Sequence, residues 1–395
     1  MISTRKLVRT ITCTALTLAS AVPSCSGRVA DLGNSGPGSG PVLAGSPTSM
    51  QGVAGAAAAT TPSKLVDREF QVTAFTVDAG QIFWMATASA QLSAQPPSPS
   101  PAGYLRTCAV ANCVGSVMSW PLQNPAGIRD LSTKIHTSVG SVFFPSVGVG
   151  EGLKVCPKGD CSAPRSLLAG VDVRDFAVAN QTLFVLSVPP DTVLSCSESD
   201  CNGTLIRFAM RAPDGEAPFS SPKRIVADDT FLYMLLDDGR VIRTRQDGAG
   251  TFEVIARGQI NASDLAQQGD SIFWTESVVL GHIFRCPKTG CAASPDVVAA
   301  GLHKPTSLAL DSSSVYFSEP ADITSTSDPE GIPGSNRTSR CALPTCSVPT
   351  VLLEKVGYPG FVVVDDRFIY FSGYHCNSGV SDGSQPCGFV VTLPK

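Results

Sequence analysis

Of the fourteen cysteines in this 395-residue chain, twelve form local pairs, and their spacing is the clearest chemical signal in the sequence. Five pairs leave four residues between the two sulfurs: Cys108 with Cys113, Cys156 with Cys161, Cys196 with Cys201, Cys286 with Cys291 and Cys341 with Cys346. The sixth, Cys376 with Cys387, is wider. Pro287 and Gly290 inside one of them are residues a tight turn favours, because proline fixes φ early and glycine accepts the left-handed region. Such a turn brings the flanking residues within disulfide reach. A related segment, Val241 to Ala249, carries Thr244 and Ala249 where the cysteines would stand, so the pair is lost together, as bonded partners would be. Closing a loop this short is worth roughly 2 kcal/mol in the chain-entropy account. Zinc is the rival use. It needs four converging ligands, and the chain has only four histidines. The Cys-x-x-Cys redox spacing is absent. The expectation is six structural disulfides, no metal and no cofactor.

The acid–base candidates are sparser. Glu276 and Glu319 follow the same apolar motif in adjacent repeats. On one side of a shared channel they would raise one another's pKa; as separate rim groups they would simply be solvated. His303 and Lys304 precede Pro305, Tyr358 precedes Pro359, and Tyr374 and His375 open the segment closed by Cys376 and Cys387. A Tyr/His/Glu cluster of this kind binds sugar or peptide through aromatic faces and a few polar groups. The alternatives are scattered loop residues, or a lyase or hydrolase working with Glu276, Glu319 and His303. There is no Gly-x-Ser-x-Gly elbow, His-Glu-x-x-His, phosphate loop, dinucleotide glycine pattern or calcium loop.

The elements that must position these residues recur. An apolar strand with an aromatic centre occurs seven times: Ile82-Phe83-Trp84, Val142-Phe143-Phe144, Leu183-Phe184-Val185, Leu232-Tyr233-Met234, Ile272-Phe273-Trp274, Val315-Tyr316-Phe317 and Ile369-Tyr370-Phe371. The mean step of about 48 residues, with only strand signals, matches four-stranded propeller blades. A small-residue strand and an Asp- or Asn-bearing turn precede each marker, as in Leu308-Ala309-Leu310-Asp311 and Ile225-Val226-Ala227-Asp228. We label the four strands of a blade A to D, from the axis outwards. The last repeat, Gly388 to Lys395, stops at the end of strand C, while Pro62 to Asp67 reads as a spare strand D. The fold class is therefore all-β: a seven-bladed β-propeller of four-stranded antiparallel blades, closed by an N-terminal strand. An open or six-bladed ring is the alternative. Long B–C connections near 86–103, 318–338 and 372–388 gather on one face, and the cysteine turns on the other; long loops on one face are where binding tends to sit.

The start of the chain is a targeting segment. Arg5, Lys6 and Arg9 precede a short apolar run from Ile11 to Val22, so residues 1–25 read as a signal peptide. Ala19-Ser20-Ala21 fits ordinary secretion, whereas Val22-Pro23-Ser24-Cys25 fits a bacterial lipobox that leaves Cys25 acylated. Residues 26–63 are a Gly/Ser/Ala/Pro tether, and 64–395 the propeller domain. Export places the protein at the bacterial outer membrane or in the periplasm as a lipoprotein, or outside the cell, where disulfides persist. The net charge of −4, without basic runs, excludes nucleic acid and leaves the lipid anchor as the one membrane attachment.

Residues 64–395 resemble the secreted bacterial β-propeller repeat proteins of the broad YncE/NHL type, closest to cysteine-bearing propeller lipoproteins. The aromatic strand and the Arg285-Cys286-Pro287-Lys288-Thr289-Gly290-Cys291 turn carry that resemblance. It implies architecture; propellers serve as binders, scaffolds, lyases and hydrolases alike. The expected function is a monomeric, non-enzymatic binding or scaffold module for a protein or glycan in the cell envelope, with a purely structural envelope role as a third reading. Mass spectrometry of the mature N-terminus separates the cleavage alternatives: a diacylglyceryl mass on Cys25 establishes the anchor, and a free Val22 rejects it.

Overall fold

The computed structural model describes residues 62–69, 72–87, 103–122, 134–146, 152–187, 192–248, 251–291, 294–320, 336–354, 358–374 and 388–395. Among them lie seven four-stranded antiparallel sheets. Blade 1 runs Val72–Asp78, Gln81–Thr87, Gly103–Ala109 and Met118–Leu122. Blade 2 runs His136–Thr137, Ser141–Pro145, Leu153–Pro157 and Arg165–Leu167. Blade 3 runs Val173–Ala179, Thr182–Ser187, Thr192–Ser197 and Ile206–Phe208. Blade 4 runs Pro222–Ala227, Phe231–Leu236, Val241–Arg245 and Glu253–Ala256. Blade 5 runs Ala262–Gln268, Ser271–Glu276, Val279–Pro287 and Asp296–His303. Blade 6 runs Ser307–Leu310, Ser314–Glu319, Arg337–Ala342 and Thr350–Glu354.

Blade 7 is assembled from both ends of the domain. Tyr358–Val364, Phe368–Tyr374 and Gly388–Pro394 supply strands A to C, and Ser63–Glu69 supplies strand D. Ser63 pairs with Thr392 and Glu69 with Gly388. Each strand A packs on the next, including that of blade 7 on blade 1, so the ring closes at seven members and the six-bladed alternative is set aside. No helix among the described residues is long and apolar enough to cross a membrane.

The core sits between blades. Each of seven apolar clusters joins two neighbouring sheets. Strand B shows why. Its side chains alternate between faces, so Trp84 enters the blade 7/1 seam while Phe83 enters the 1/2 seam. With both faces covered, strand B has no polar side to keep, and the sequence reads as an unbroken apolar run. All seven markers fall on this strand. The indole N–H ties the seam further: Trp274 Nε1 donates to Gln259 Oε1 at 3.0 Å, and Trp84 Nε1 to Glu69 Oε1 at 3.3 Å.

The A–B turns use aspartate as expected, with more partners than a turn needs. Asp228 Oδ1 accepts from the backbone N–H of Thr230 and Phe231 at 2.9 and 2.8 Å, and its Oδ2 from the Tyr233 hydroxyl at 2.8 Å. Asp311 and Asp365 repeat the arrangement with Tyr316 and Tyr370.

Five of the six expected disulfides are closed, with Cα–Cα distances from 4.6 to 5.6 Å. Cys108 is bonded to Cys113, Cys156 to Cys161, Cys196 to Cys201, Cys286 to Cys291 and Cys341 to Cys346. Sulfur bridges of this kind belong to an oxidising compartment. Their placement differs from a simple tight turn between paired strands in one respect. The first cysteine lies at or near the end of strand C, but the second lies in the C–D connection rather than opposite it on strand D. Cys161 and Cys201 show this plainly: each precedes its strand D, Arg165–Leu167 or Ile206–Phe208, and each is buried in a seam, Cys161 in the 1/2 seam and Cys201 in the 2/3 seam. Other second cysteines dock on the preceding blade through the main chain: Cys291 N donates to Ile255 O at 3.1 Å, and Cys346 N to Val298 O at 2.9 Å. In blade 1 the connection is a 3-10 turn and a one-turn helix, Cys113–Ser116, in place of a tight turn, because Asn112 accepts from Gly115 N and Ser116 Oγ bonds back to Asn112 O. The sixth expected pair, Cys376 with Cys387, lies outside the described residues, as do Cys25 and the signal and tether segments before Pro62.

Removing Ser63–Glu69 leaves strand C of blade 7 as a bare edge. We expect Tm to fall by about 10 °C and the truncated protein to self-associate on gel filtration. An unchanged melt with monomeric elution means that strand does not close the ring.

Candidate functional site

Strand B of blades 5 and 6 ends in the two expected carboxylates, and the structure gives each its own partner. Glu276 Oε2 accepts from His282 Nδ1 at 2.6 Å, with side-chain exposures of 29% and 35%. The His282 ring stacks on Phe284 at 5.3 Å. Strand C reaches back to Glu276 because Gly281 stands at the bend: a Cβ there would lie 2.1 Å from the Glu276 carbonyl oxygen.

Glu319 is fully buried, which corrects the reading of it as a solvated rim group. Strand pairing sets Glu319 opposite Arg337. Arg337 Nε donates to Oε2 at 2.6 Å and Nη2 to Oε1 at 2.9 Å, and Ser339 Oγ donates to Oε2 at 3.2 Å. The His303 backbone N–H of blade 5 completes the shell at 2.8 Å. Glu319 pushes the Arg337 guanidinium above its ordinary pKa, against the opposing effect of burial. Breaking a buried pair of this kind by removing one partner costs about 3–5 kcal/mol. The pair closes the neck of the long blade 6 insertion and bonds blade 5 to blade 6.

Each of these two acids is thus engaged within its own blade, Glu276 by His282 and Glu319 by Arg337. His303 meets Glu319 through its main chain, and Lys304, at φ 46°, donates its N–H to Val278 O at 3.0 Å. Tyr358 and Tyr374 are register partners at the mouth of blade 7. His375 lies outside the described residues. His282 and Arg337 carry no mark in the sequence, although each stands near the start of a strand C, beside a carboxylate that ends a strand B.

A second polar system, also unread from sequence, lines the inner strands. Asp175, fully buried, accepts from Phe176 N at 2.9 Å and from Ile225 N of the next blade at 2.9 Å. Lys134 Nζ of blade 2 donates to it at 3.2 Å. Asp264 repeats the device, accepting from Leu265 N at 3.0 Å and from Leu308 N of blade 6 at 2.9 Å, with Arg224 at 3.9 Å. Ser307 Oγ accepts from Val362 N at 3.1 Å. Opposite charges thus alternate through blades 2 to 5 and fasten each inner strand to the next. His136 sits within this system, edge-on to Phe176 at 4.9 Å. Burial and the Lys134 charge push its pKa down to about 4, against Asp175. Among the described residues no group of three or more His, Cys, Asp or Glu side chains is placed to hold a metal.

No family model matches the sequence, and no curated protein matches it. Among solved structures, a chain of a nidogen/laminin complex matches 60% of this chain and 85% of its own length, at 14% identity and a TM-score of 0.43. The computationally designed Ika8 protein matches over 83% of this chain and 100% of its own, at 10% identity and a TM-score of 0.45. PorZ, an essential bacterial surface component of the type-IX secretion system of Porphyromonas gingivalis, matches over 81% of this chain and 43% of its own, at 12% identity and a TM-score of 0.45. At these scores the likenesses add nothing to the architecture read from the sheets themselves.

The inner system sets a pH dependence. A histidine pKa depressed on folding means the unfolded chain takes up the proton first as pH falls. The stabilisation is complete above the unfolded value of about 6.5 and is lost as pH drops towards about 4. The Asp228 carboxyl, which burial raises but Lys288, the Phe231 and Thr230 N–H groups and Tyr233 together hold down at about 2, contributes its own loss only below that window. Melting curves should show Tm falling by roughly 3–5 °C between pH 7 and 4.5, with His136→Gln flattening this segment. An identical slope in the variant removes His136 as the cause.

Proposed function

We propose that this protein is an exported binding or scaffold module, a monomeric disulfide-clipped propeller carried on its Gly/Ser/Ala/Pro tether and anchored through acylated Cys25. It engages a protein or glycan of the cell envelope through the face from which the B–C connections leave. The observation that carries this reading is the state of Glu319, one of the three residues on which an enzyme reading would rest. Glu319 is fully buried and bonded by Arg337, Ser339 and the His303 N–H. A carboxylate so committed does not serve as a general base, which must be free to take a proton from substrate. It fixes the base of an insertion instead. Three long connections leave from paired strand ends on this face, between Thr87 and Gly103, Glu319 and Arg337, and Tyr374 and Gly388. Loops held at the neck by a rigid sheet are a usual way for a fold to present a recognition surface.

The kinship with secreted YncE/NHL-type propellers belongs to the same proposal. The test is a pull-down from envelope extract with the intact chain and with the 375–387 connection replaced by a short Gly/Ser link. Loss of a specific partner or glycan fraction on replacement supports the reading; an unchanged set of partners removes this loop from it.

A further inference from the structure

The opposite face, where the A–B and C–D turns meet, carries a repeated inter-blade tie. Lys158, Lys288 and Lys395 each follow strand C, and each donates its backbone N–H to its own blade's A–B turn, at Gly140 O, Asp270 O and Arg367 O. Their side chains reach into the preceding blade. Lys288 Nζ meets Asp228 Oδ2 at 2.7 Å and lies 5.4 Å from the Tyr233 ring centre. Lys395 Nζ meets Asp311 Oδ2 at 2.7 Å and lies 5.9 Å from the Tyr316 ring centre. Lys158 meets Asp78 in the same way. The socket is thus an aspartate at the end of strand A, which in two of the three also caps the A–B turn and takes a tyrosine hydroxyl on the same oxygen as the lysine.

At the blade 7/1 seam the socket is present and the lysine is not. Asp365 accepts from Arg367 N at 2.8 Å, Phe368 N at 2.7 Å and the Tyr370 hydroxyl at 2.7 Å, the same set that surrounds Asp228. The position of the lysine is held by Val110, whose N–H donates to Gly80 O at 2.8 Å. A second exchange deepens the gap. The residue across from the tyrosine is Arg243 in blade 4 and Arg340 in blade 6, but Thr392 in blade 7. A cavity of about 790 Å³ results, lined by Asp365, Tyr370, Thr392, Leu65, Val110 and Val114. Thr392 is 7% exposed, and its Oγ1 has no hydrogen-bond partner among the described residues. Lys64 and Arg367 also line the cavity, but neither occupies the socket: Lys64 pairs with Asp67 at 3.3 Å and Arg367 lies over the Phe368 ring at 5.2 Å, while Lys395, whose charge acts on Asp365, pairs with Asp311. Asp366 is exposed at the rim.

We infer that this cavity is a receptor for a lysine side chain of a partner protein. A carboxylate, a phenol and an unpaired hydroxyl at one end suit an ammonium, and Leu65 and Val110 suit its alkyl stem. The volume lies in the ~300–1,000 Å³ range of ligand pockets and exceeds what a lone amine fills. Val114 stands 93% exposed at the rim, where the backbone flanking the lysine would rest. This site is on the other face from the proposed loop surface and does not depend on it.

The test uses the full chain and a fluorescent peptide with a single central lysine among small apolar residues. Binding by the wild type should weaken at least about tenfold when norleucine replaces that lysine. Val110→Lys refills the socket from within. It should raise Tm, as the other ties do for their seams, and abolish peptide binding. Asp365→Asn should weaken binding without the rise in Tm. Butylammonium binding as tightly as the peptide overturns the protein-partner assignment in favour of a free amine. No difference between lysine and norleucine peptides, or undiminished binding by the folded Val110→Lys variant, overturns the receptor itself.

Discussion

Everything in this fold depends on each blade closing the flank of the blade before it. A four-stranded sheet with two apolar faces buries neither alone, and here each face finds cover only across a seam. The large term is apolar: fully burying one Phe or Leu is worth about 1.5–3 kcal/mol, and each seam holds several such side chains. The charged ties are smaller, since an ion pair near the surface contributes about 1 kcal/mol or less. Their role is register. Hydrophobic contact tolerates sliding, whereas Lys288 reaches Asp228 only when the turn of blade 5 sits over the A–B turn of blade 4. The same division holds near the axis, where Asp175 and Asp264 bond the backbone of the next inner strand and fix its height.

The disulfides serve this seam at one remove. They do not join blades. Each holds a C–D connection in the shape that lets it reach the preceding blade, as Cys291 N does at Ile255 O. Blade 4 shows the requirement by lacking the bond. There Thr244 is buried in the place of a cysteine, and Gln246 Nε2 bonds the Asp228 carbonyl of its own blade. Gly248 faces the ring of Phe208 in blade 3, and a Cβ at this position would lie 3.5 Å from that ring. A glycine and a side-chain amide thus do locally what a covalent bridge does in five other blades. The bridge acts on the unfolded chain by restricting a short loop, so its effect on the seam is indirect.

Architecture was legible because strand B is sandwiched. Burial on both faces forces an apolar run with an aromatic centre, and that run survives divergence at every other position, from Val142-Phe143-Phe144 to Ile369-Tyr370-Phe371. Closure was legible because one repeat lacked a strand that the other end of the domain supplied. The site was legible only in part. Glu276 and Glu319 align in sequence, yet one pairs with His282 and the other is buried against Arg337. The difference lies in the residue across the strand pair, which follows a loop of variable length and so cannot be placed by counting. The inner charges were missed for a related reason. Lys134, Asp175, Arg224 and Asp264 sit singly at the start of strand A, and only the closed ring brings them side by side.

A recurring polar residue in a repeat protein is more often architecture than chemistry, because every copy meets the same neighbours. The aspartates of the A–B turns show this: three of them hold a tyrosine and a turn, and two of those three also hold a lysine. Function is better sought where one half of a recurring pair has changed while the other half stays. Four seams on the cysteine-turn face depart from the pattern, with Val110, Glu198, Gln246 and Leu343 at the lysine position, and two of them lie beside a cavity and differ in sign. At the 7/1 seam the acid remains and the base has become Val110. At the 2/3 seam the lysine position is held by Glu198, opposite Ser138 instead of an aspartate, beside a cavity of about 640 Å³. Its Oε1 is buried there without a hydrogen-bond partner among the described residues. Replacing both members at once avoids two facing carboxylates, which would repel. Each of these two departures leaves an acidic group facing a hollow, so at these seams the broken repeats, and not the intact ones, set what the surface can recognise.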